Sequence, residues 1–208
     1  MTVVPDTAPP PVGAIGALRR TALVVAALNL AYFVVEIVAS QRIGSVALYA
    51  DSADFLEDAA VNALIVVALG WTLAARARLG FVLAGIALLP ALAALWTALQ
   101  KFLHGGVPHP ETLGWVGVGA LLVNLACAWL LARRKGDGGS LGRAAFLTAR
   151  NDAAGNVAII AAALVTAWWW ASFWPDLIVG VGLFFLNLDA AKDVLEAARG
   201  EREEALRA

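Results

Sequence analysis

The most informative segment of the sequence is GSVALYADSADFLEDAAVNALIVVALGW, residues 44–71. It is apolar enough and long enough to cross a bilayer, because about twenty helical residues span the hydrocarbon core. Yet it carries Asp51, Asp54, Glu57 and Asp58 within eight positions. Acidic groups inside a membrane segment are costly and mark ion pathways, so this stretch predicts a membrane helix that carries a functional site.

The composition of the whole chain is that of a membrane protein. Of its 208 residues, 61% are hydrophobic and 15% are charged, against roughly 45–50% and about 25% in soluble domains. The net charge of −1 offers no basic field to nucleic acid, and the single cysteine, Cys127, excludes an internal disulfide and a cysteine metal cluster. We therefore predict an all-α protein in the lipid bilayer, with no prosthetic group and no enzymatic activity.

Six apolar segments of spanning length follow one another along the chain. We predict a six-helix transmembrane domain over residues 17–198, preceded by a Pro-rich, disordered cytoplasmic N-terminus at 1–16 and followed by a short cytoplasmic tail at 199–208. The predicted spans are residues 18–40, 45–73, 79–101, 112–133, 144–168 and 175–197.

The distribution of Lys and Arg predicts the orientation of these spans. With the N-terminus inside, twelve basic residues fall in cytoplasmic segments, and only Arg42 and Lys101 fall in external loops. Basic residues favour the cytoplasmic side. We therefore predict a multi-pass protein of the cell membrane with both termini cytoplasmic. Glu36, near the external end of span one, could guide exiting ions, but we favour its interpretation as a solvated interfacial acid.

Two short similarities relate the halves of the chain. NLAYFVV at 29–35 resembles NLACAWL at 124–130, and EDAAVNALIV at 57–66 resembles NDAAGNVAII at 151–160. The offsets, 95 and 94 residues, relate span one to span four and span two to span five. Because each half would contain three spans, the second half would be inverted, and such 3+3 inverted repeats place a substrate site between the halves at the bilayer midplane.

Helical periodicity places the polar residues of spans two and five on defined faces. At about 100° per residue, Asp51, Asp54, Asp58 and Asn62 share one arc of span two. A rise of about 1.5 Å per residue brings Asp54 and Asp152 to the middle third of the bilayer from opposite sides. The polar face of span five holds Thr148, Asn151, Asp152, Gly155 and Asn156.

These carboxylates predict a site for a transported cation. Asp54, Asp58 and Asp152 would together cost on the order of 8–10 kcal/mol if they faced lipid. The alternative is that these carboxylates only brace the helices against Arg150 and residues of span one. One arginine cannot neutralise so many acids, which argues against that alternative. Carboxylate and amide oxygens are hard ligands that suit divalent cations. Without the cation the crowded carboxylates repel one another and retain protons, so metal and protons displace each other and antiport follows.

Two motifs resemble those of the cation diffusion facilitator family. GSVALYADSADFLED at 44–58 resembles its second helix, where Gly-Ser and a short apolar stretch precede a His or Asp and, four residues later, an Asp. TARNDAAGNVAII at 148–160 resembles its fifth helix, usually His-x-x-x-Asp with a polar residue four positions further on. The resemblance covers residues 18–197.

The resemblance implies a fold and an activity. Helices one, two, four and five would form a bundle beside helices three and six, and the protein would exchange divalent transition metals for protons by alternating access as a homodimer. The cytoplasmic domain that normally follows helix six has no counterpart in this sequence, so the resemblance implies a short form. That difference puts the homodimer in question.

The resemblance also implies a ligand set. Asp54 and Asp58 match the ligand pair of the second helix, and Asp152 matches the aspartate of the fifth. Thr148 stands where the family has its usual histidine, so the fourth donor remains open. The candidates besides water are Asn151, Asn156, Asp51 and Thr148 itself.

The identity of the metal also remains open at this point. An all-oxygen site favours manganese, cobalt, iron or magnesium over zinc, whereas the family resemblance favours zinc and cobalt. Two other function classes are retained: an exporter of small organic cations, and a non-transporting membrane partner with a degraded site. The first would rely on one carboxylate with an aromatic lining, and the second would leave cellular metal unchanged when Asp54 or Asp152 is replaced.

Overall fold

The structure, a computed structural model, describes residues 12–68, 73–133 and 139–186. Across these ranges the chain is helical and contains no strand, which confirms the predicted all-α class. Each predicted span overlaps one helix. Residues 12–16 of the predicted disordered N-terminus belong to the first helix, whereas residues 1–11, the predicted tail at 199–208 and the end of span six lie outside the described residues. The helices are α1 Val12–Ile43, α2 Val46–Ala68, α3 Leu73–His104, α4 Pro110–Ala132, α5 Gly139–Trp168 and α6, described over Trp174–Leu186.

Within the described residues, two helical segments are by themselves long and apolar enough to cross a membrane. These are Arg19–Ile43 within α1 and Pro110–Ala132, which is the whole of α4. Shorter apolar stretches occupy Asp152–Trp168 in α5 and Trp174–Leu186 in α6. The acidic residues of α2 distinguish it from an ordinary apolar span, as its sequence predicts.

A tight turn joins α1 to α2. Gly44 has a φ of +62°, a conformation that favours glycine, and the Ser45 N–H donates to the Ser40 carbonyl at 3.2 Å, which closes α1 in the manner of a Schellman motif. The Ser45 hydroxyl oxygen in turn accepts a hydrogen bond from the Leu48 N–H at 3.1 Å. Ser45 therefore ends one helix and caps the next.

Four of the helices contact one another in a ring. α1 packs against α2 and α4, α5 packs against α4 and α2, and α3 packs along α2. A single cluster of buried side chains draws on all six helices, which directs one face of α2 and one face of α5 into the protein. Its members include Ala39, Leu48, Ala94, Leu113, Ile159 and Leu183.

α6 lies close to both helices that carry the predicted site. A Cβ atom added at Gly180 would lie 2.6 Å from the carbonyl carbon of Val46 in α2, and one added at Gly155 in α5 would lie 2.9 Å from the Leu183 Cδ2 atom of α6. Glycine is required for this approach at Gly180 because the opposing atoms belong to the backbone and cannot move aside. α6 thus packs against the start of α2 and the middle of α5.

Candidate cation-binding site

Three of the predicted ligands lie on two helices that pack against each other. Asp54 and Asp58 belong to α2 and Asp152 belongs to α5. All three side chains are partly exposed. The charge of Asp152 reaches Asp54, and the charge of Asp58 reaches Asp152. The three carboxylates therefore interact electrostatically, and none of them is completely enclosed.

Two asparagines lie one helical turn beyond these aspartates. The Asn62 Nδ2 atom donates to the Asp58 carbonyl at 2.9 Å, and the Asn156 Nδ2 atom donates to the Asp152 carbonyl at 3.0 Å. Both asparagines are buried, with 2% and 0% of their surface exposed. Their Oδ1 atoms accept no hydrogen bond from the described residues. The sequence predicts Asn156 as a possible ligand. It places Asn62 on the same face of span two as the aspartates, without predicting a role for it.

Asp51 has a neighbour that the sequence analysis did not anticipate. Its carboxyl group lies within hydrogen-bonding reach of the carboxyl group of Glu36 in α1. Both residues are fully buried, and their four oxygen atoms accept no hydrogen bond from a donor within the described ranges. Two carboxyl groups in contact require a shared proton or a cation between them.

The interpretation of Glu36 as a solvated interfacial acid is therefore wrong. Its exposed fraction is 0%, because α1 packs against α2 along the face that carries Glu36. A run of apolar residues around an acid does not reveal which way the helix is turned. Asp51 itself remains a predicted ligand, now with a second acid beside it.

Two further predicted ligands precede Asp152 in α5. Thr148 and Asn151 belong to the helix Gly139–Trp168, and their side chains lie outside the described part of the structure. Both assignments therefore stay predictions. Among the residues whose side chains are described, no three His, Cys, Asp or Glu side chains form a group that could hold one metal ion.

A second buried polar cluster lies where α6 begins. Asp176 is fully buried, and its Oδ1 atom accepts hydrogen bonds from the Ser45 hydroxyl at 2.5 Å and the Ala47 N–H at 3.2 Å. Its Oδ2 atom accepts from the Val46 N–H at 2.9 Å and from the Lys101 Nζ atom at 2.8 Å. One carboxylate thus satisfies the first N–H groups of α2 and neutralises a lysine of α3.

The assignment of Lys101 to an external loop is therefore wrong. Lys101 lies in the last turn of α3 and is 5% exposed, because its ammonium group is paired with a buried carboxylate. The only sequence signal for this cluster was an acidic residue after a proline at the start of span six, Pro175-Asp176. Its partners lie up to 131 residues away, a distance that local patterns do not bridge.

Comparison with known proteins identifies the family. A model of the cation efflux transmembrane domain matches residues 78–197, which is more than half of the chain and includes Asp152 but not the acids of α2. The zinc transporter ZitB of Yersinia pseudotuberculosis serotype I (strain IP32953) is 28% identical over 182 residues, covering 79% of this chain and 57% of that relative. The chain thus spans little more than half the length of the curated relative. The resemblance drawn from the two helix motifs is confirmed: this multi-helix membrane protein belongs to the cation efflux, or cation diffusion facilitator, family.

Proposed function

We propose that this chain is a transporter that exports divalent transition-metal ions from the cytoplasm in exchange for protons. The observation that supports the proposal is the electrostatic interaction between acids on two packed helices, Asp54 and Asp58 on α2 and Asp152 on α5. In a family of cation efflux proteins, carboxylates at membrane depth are the natural binding site for the transported ion. In this proposal the carboxylates bind and release the ion and catalyse no reaction.

The ligand set consists of hard oxygen donors. Asp54, Asp58 and Asp152 supply carboxylates, and Asn156 supplies an amide oxygen that accepts no hydrogen bond from the described residues. Asn151, Asp51 and Thr148 are the remaining candidates for a further donor. Such donors accept manganese, cobalt and iron, and the naming of the relative ZitB as a zinc transporter adds zinc to the ions to be tested.

Exchange with protons follows from the mutual repulsion of the carboxylates. When the metal leaves, the unneutralised charges of Asp54, Asp58 and Asp152 favour the uptake of protons. An arriving metal ion replaces those protons, and the site then faces the opposite side of the membrane. Coupling therefore requires no residue beyond the ligands themselves.

Several features of the fold support alternating access between two related halves. The ring of contacts among α1, α2, α4 and α5 agrees with a bundle of these four helices, with α3 and α6 beside it. The hydrogen bonds from Asn62 to Asp58 and from Asn156 to Asp152 occupy equivalent positions in the proposed 3+3 inverted repeat. Location in the cell membrane with both termini cytoplasmic, and assembly as a homodimer, complete the proposal.

Metal content of living cells tests the direction of transport. A metal-sensitive bacterial host that expresses the chain should accumulate less of at least one of zinc, cobalt, manganese and iron than the host alone. Asp58→Asn and Asp152→Asn should abolish the difference, whereas Glu111→Gln should retain it, because Glu111 is an exposed acid in the first turn of α4. Unchanged metal content in the wild type would favour a non-transporting partner and overturn the proposal.

A further inference from the structure

The structure contains the same small arrangement twice, once in each of the helices that carry the proposed site. In α2, Asn62 follows Asp58 by four residues and donates to its carbonyl at 2.9 Å. In α5, Asn156 follows Asp152 by four residues and donates to its carbonyl at 3.0 Å. A side chain in a helix leans toward the preceding turn, so each amide lies over the turn that carries its aspartate.

These hydrogen bonds fix the orientation of both amides. A backbone carbonyl only accepts, so the group that approaches it must be the NH₂ group and not the oxygen. The Oδ1 atoms are therefore left without a donor among the described residues, in side chains that are 2% and 0% exposed. A buried oxygen without a partner costs about 1–3 kcal/mol, which calls for a ligand that the protein chain does not itself provide.

The predicted six-span arrangement puts the two amides on opposite sides of the aspartates along the membrane normal. In that arrangement three chain reversals separate α2 from α5, so the two packed helices run in opposite directions. One turn beyond Asp58 in α2 and one turn beyond Asp152 in α5 therefore lead toward opposite faces of the membrane. Because Asp58 and Asp152 interact electrostatically, this arrangement places one amide on each side of the pair.

The other buried amide and hydroxyl oxygens without a donor do not share this arrangement. Asn124 Oδ1 lies in α4 and Thr166 Oγ1 lies near the end of α5. Neither follows an aspartate of the site by one helical turn. The combination of a site aspartate, a back-bonded amide and a free buried oxygen occurs within the described ranges only at Asn62 and Asn156.

We infer that Asn62 is a ligand of the transported ion, the counterpart of Asn156, and that its amide oxygen binds the ion on the opposite side of the aspartate pair. This inference rests on the proposed transport function and deepens it. Neutral amide oxygens add hard donors without adding charge, so the site takes a divalent cation that accepts oxygen ligands, with Mn²⁺ as the first probe. As the site changes access, the ion passes from one amide to the other across the carboxylates.

Two substitutions at Asn62 distinguish a role as a metal ligand from a role in packing alone. Asn62→Ala removes the oxygen, and we expect the KM for Mn²⁺ flux and the Kd for Mn²⁺ to rise at least about tenfold. Asn62→Asp keeps an oxygen in the same place and should bind Mn²⁺ as tightly as the wild type or more tightly. If Asn62 only packs against its neighbours, Asn62→Asp should be impaired more than Asn62→Ala, because a buried charge without a cation costs more than a small apolar side chain.

The experiment measures Mn²⁺, Co²⁺ and Zn²⁺ binding by titration calorimetry on the full chain in detergent, and flux in proteoliposomes. Thr166→Val is the matched control, since it removes another buried oxygen without a donor about 15 Å along α5 from Asn156, and it should leave KM unchanged. If Asn62→Ala fails to fold, Asn62→Asp still tests the role of the oxygen, because its thermal stabilisation by Mn²⁺ should equal or exceed that of the wild type.

The outcomes distinguish the two levels of the proposal. Flux in the wild type with unchanged KM and Kd in Asn62→Ala, or weakened Mn²⁺ binding in Asn62→Asp, would overturn the role of Asn62 and leave the transport function standing. Absence of both binding and flux for every ion in the wild type would overturn the transport function, and the role of Asn62 with it.

Discussion

The Nζ atom of Lys101 in α3 lies 2.8 Å from the Oδ2 atom of Asp176 in α6, and both side chains are buried. The same carboxylate accepts hydrogen bonds from the Ser45 hydroxyl and from two N–H groups at the start of α2. One aspartate therefore ties together the ends of three helices. It fixes the start of the helix that carries Asp54 and Asp58.

Replacement of Asp176 should be far more costly than replacement of its lysine. Asp176→Ala leaves a buried ammonium group without a partner and removes the acceptor from the start of α2, and breaking a buried ion pair in this way costs about 3–5 kcal/mol. Lys101→Met should cost less, because Asp176 keeps its three donors at the N-terminus of α2. Unfolding of the purified variants in detergent measures the difference, and equal losses for both would contradict this reading of the cluster.

Gly180 should not tolerate even one additional methyl group. A Cβ atom there would lie 2.6 Å from the carbonyl carbon of Val46 and 2.7 Å from the N atom of Ala47, so Gly180→Ala must push α6 away from α2. We expect a loss of about 1–3 kcal/mol in the free energy of unfolding.

Gly182 provides the control on the same helix. No atom would lie within 4 Å of a Cβ atom added there, so Gly182→Ala should be neutral or stabilise the helix by up to about 1 kcal/mol. Unfolding in detergent compares the two variants. A similar effect of both substitutions would show that α6 does not pack against the backbone of α2.

The contact between Glu36 and Asp51 predicts an unusual effect of an amide. Glu36→Gln supplies an N–H donor to a carboxylate that accepts no hydrogen bond from the described residues, and it removes the repulsion between two acids. We expect the free energy of unfolding at pH 7.5 to rise by about 1–3 kcal/mol. Glu36→Ala leaves a cavity and supplies no donor, so it should be less stable than the wild type. Thermal unfolding measures both variants, and a loss of stability in Glu36→Gln similar to that in Glu36→Ala would refute the pairing.

The helices were largely predictable from the sequence because their signals are local, whereas the ligand set of the candidate site stays a prediction. Apolar runs of spanning length marked the helices, and a period of about 100° per residue placed Asp58 and Asn62 on one face. The pairs Glu36–Asp51 and Lys101–Asp176 were not predictable in the same way. They depend on how each helix is rotated against its neighbour, which interhelical packing decides after the local pattern is satisfied.

Metal flux under a pH gradient tests the proposed exchange of metal ions for protons. The wild-type chain is reconstituted into proteoliposomes, a proton gradient is imposed, and the movement of Zn²⁺, Co²⁺, Mn²⁺ and Fe²⁺ is recorded together with the luminal pH. We predict movement of at least one metal with opposite movement of protons, and loss of both in Asp58→Ala and in Asp152→Ala. Absence of movement for every metal, or full movement in either aspartate variant, would contradict the account.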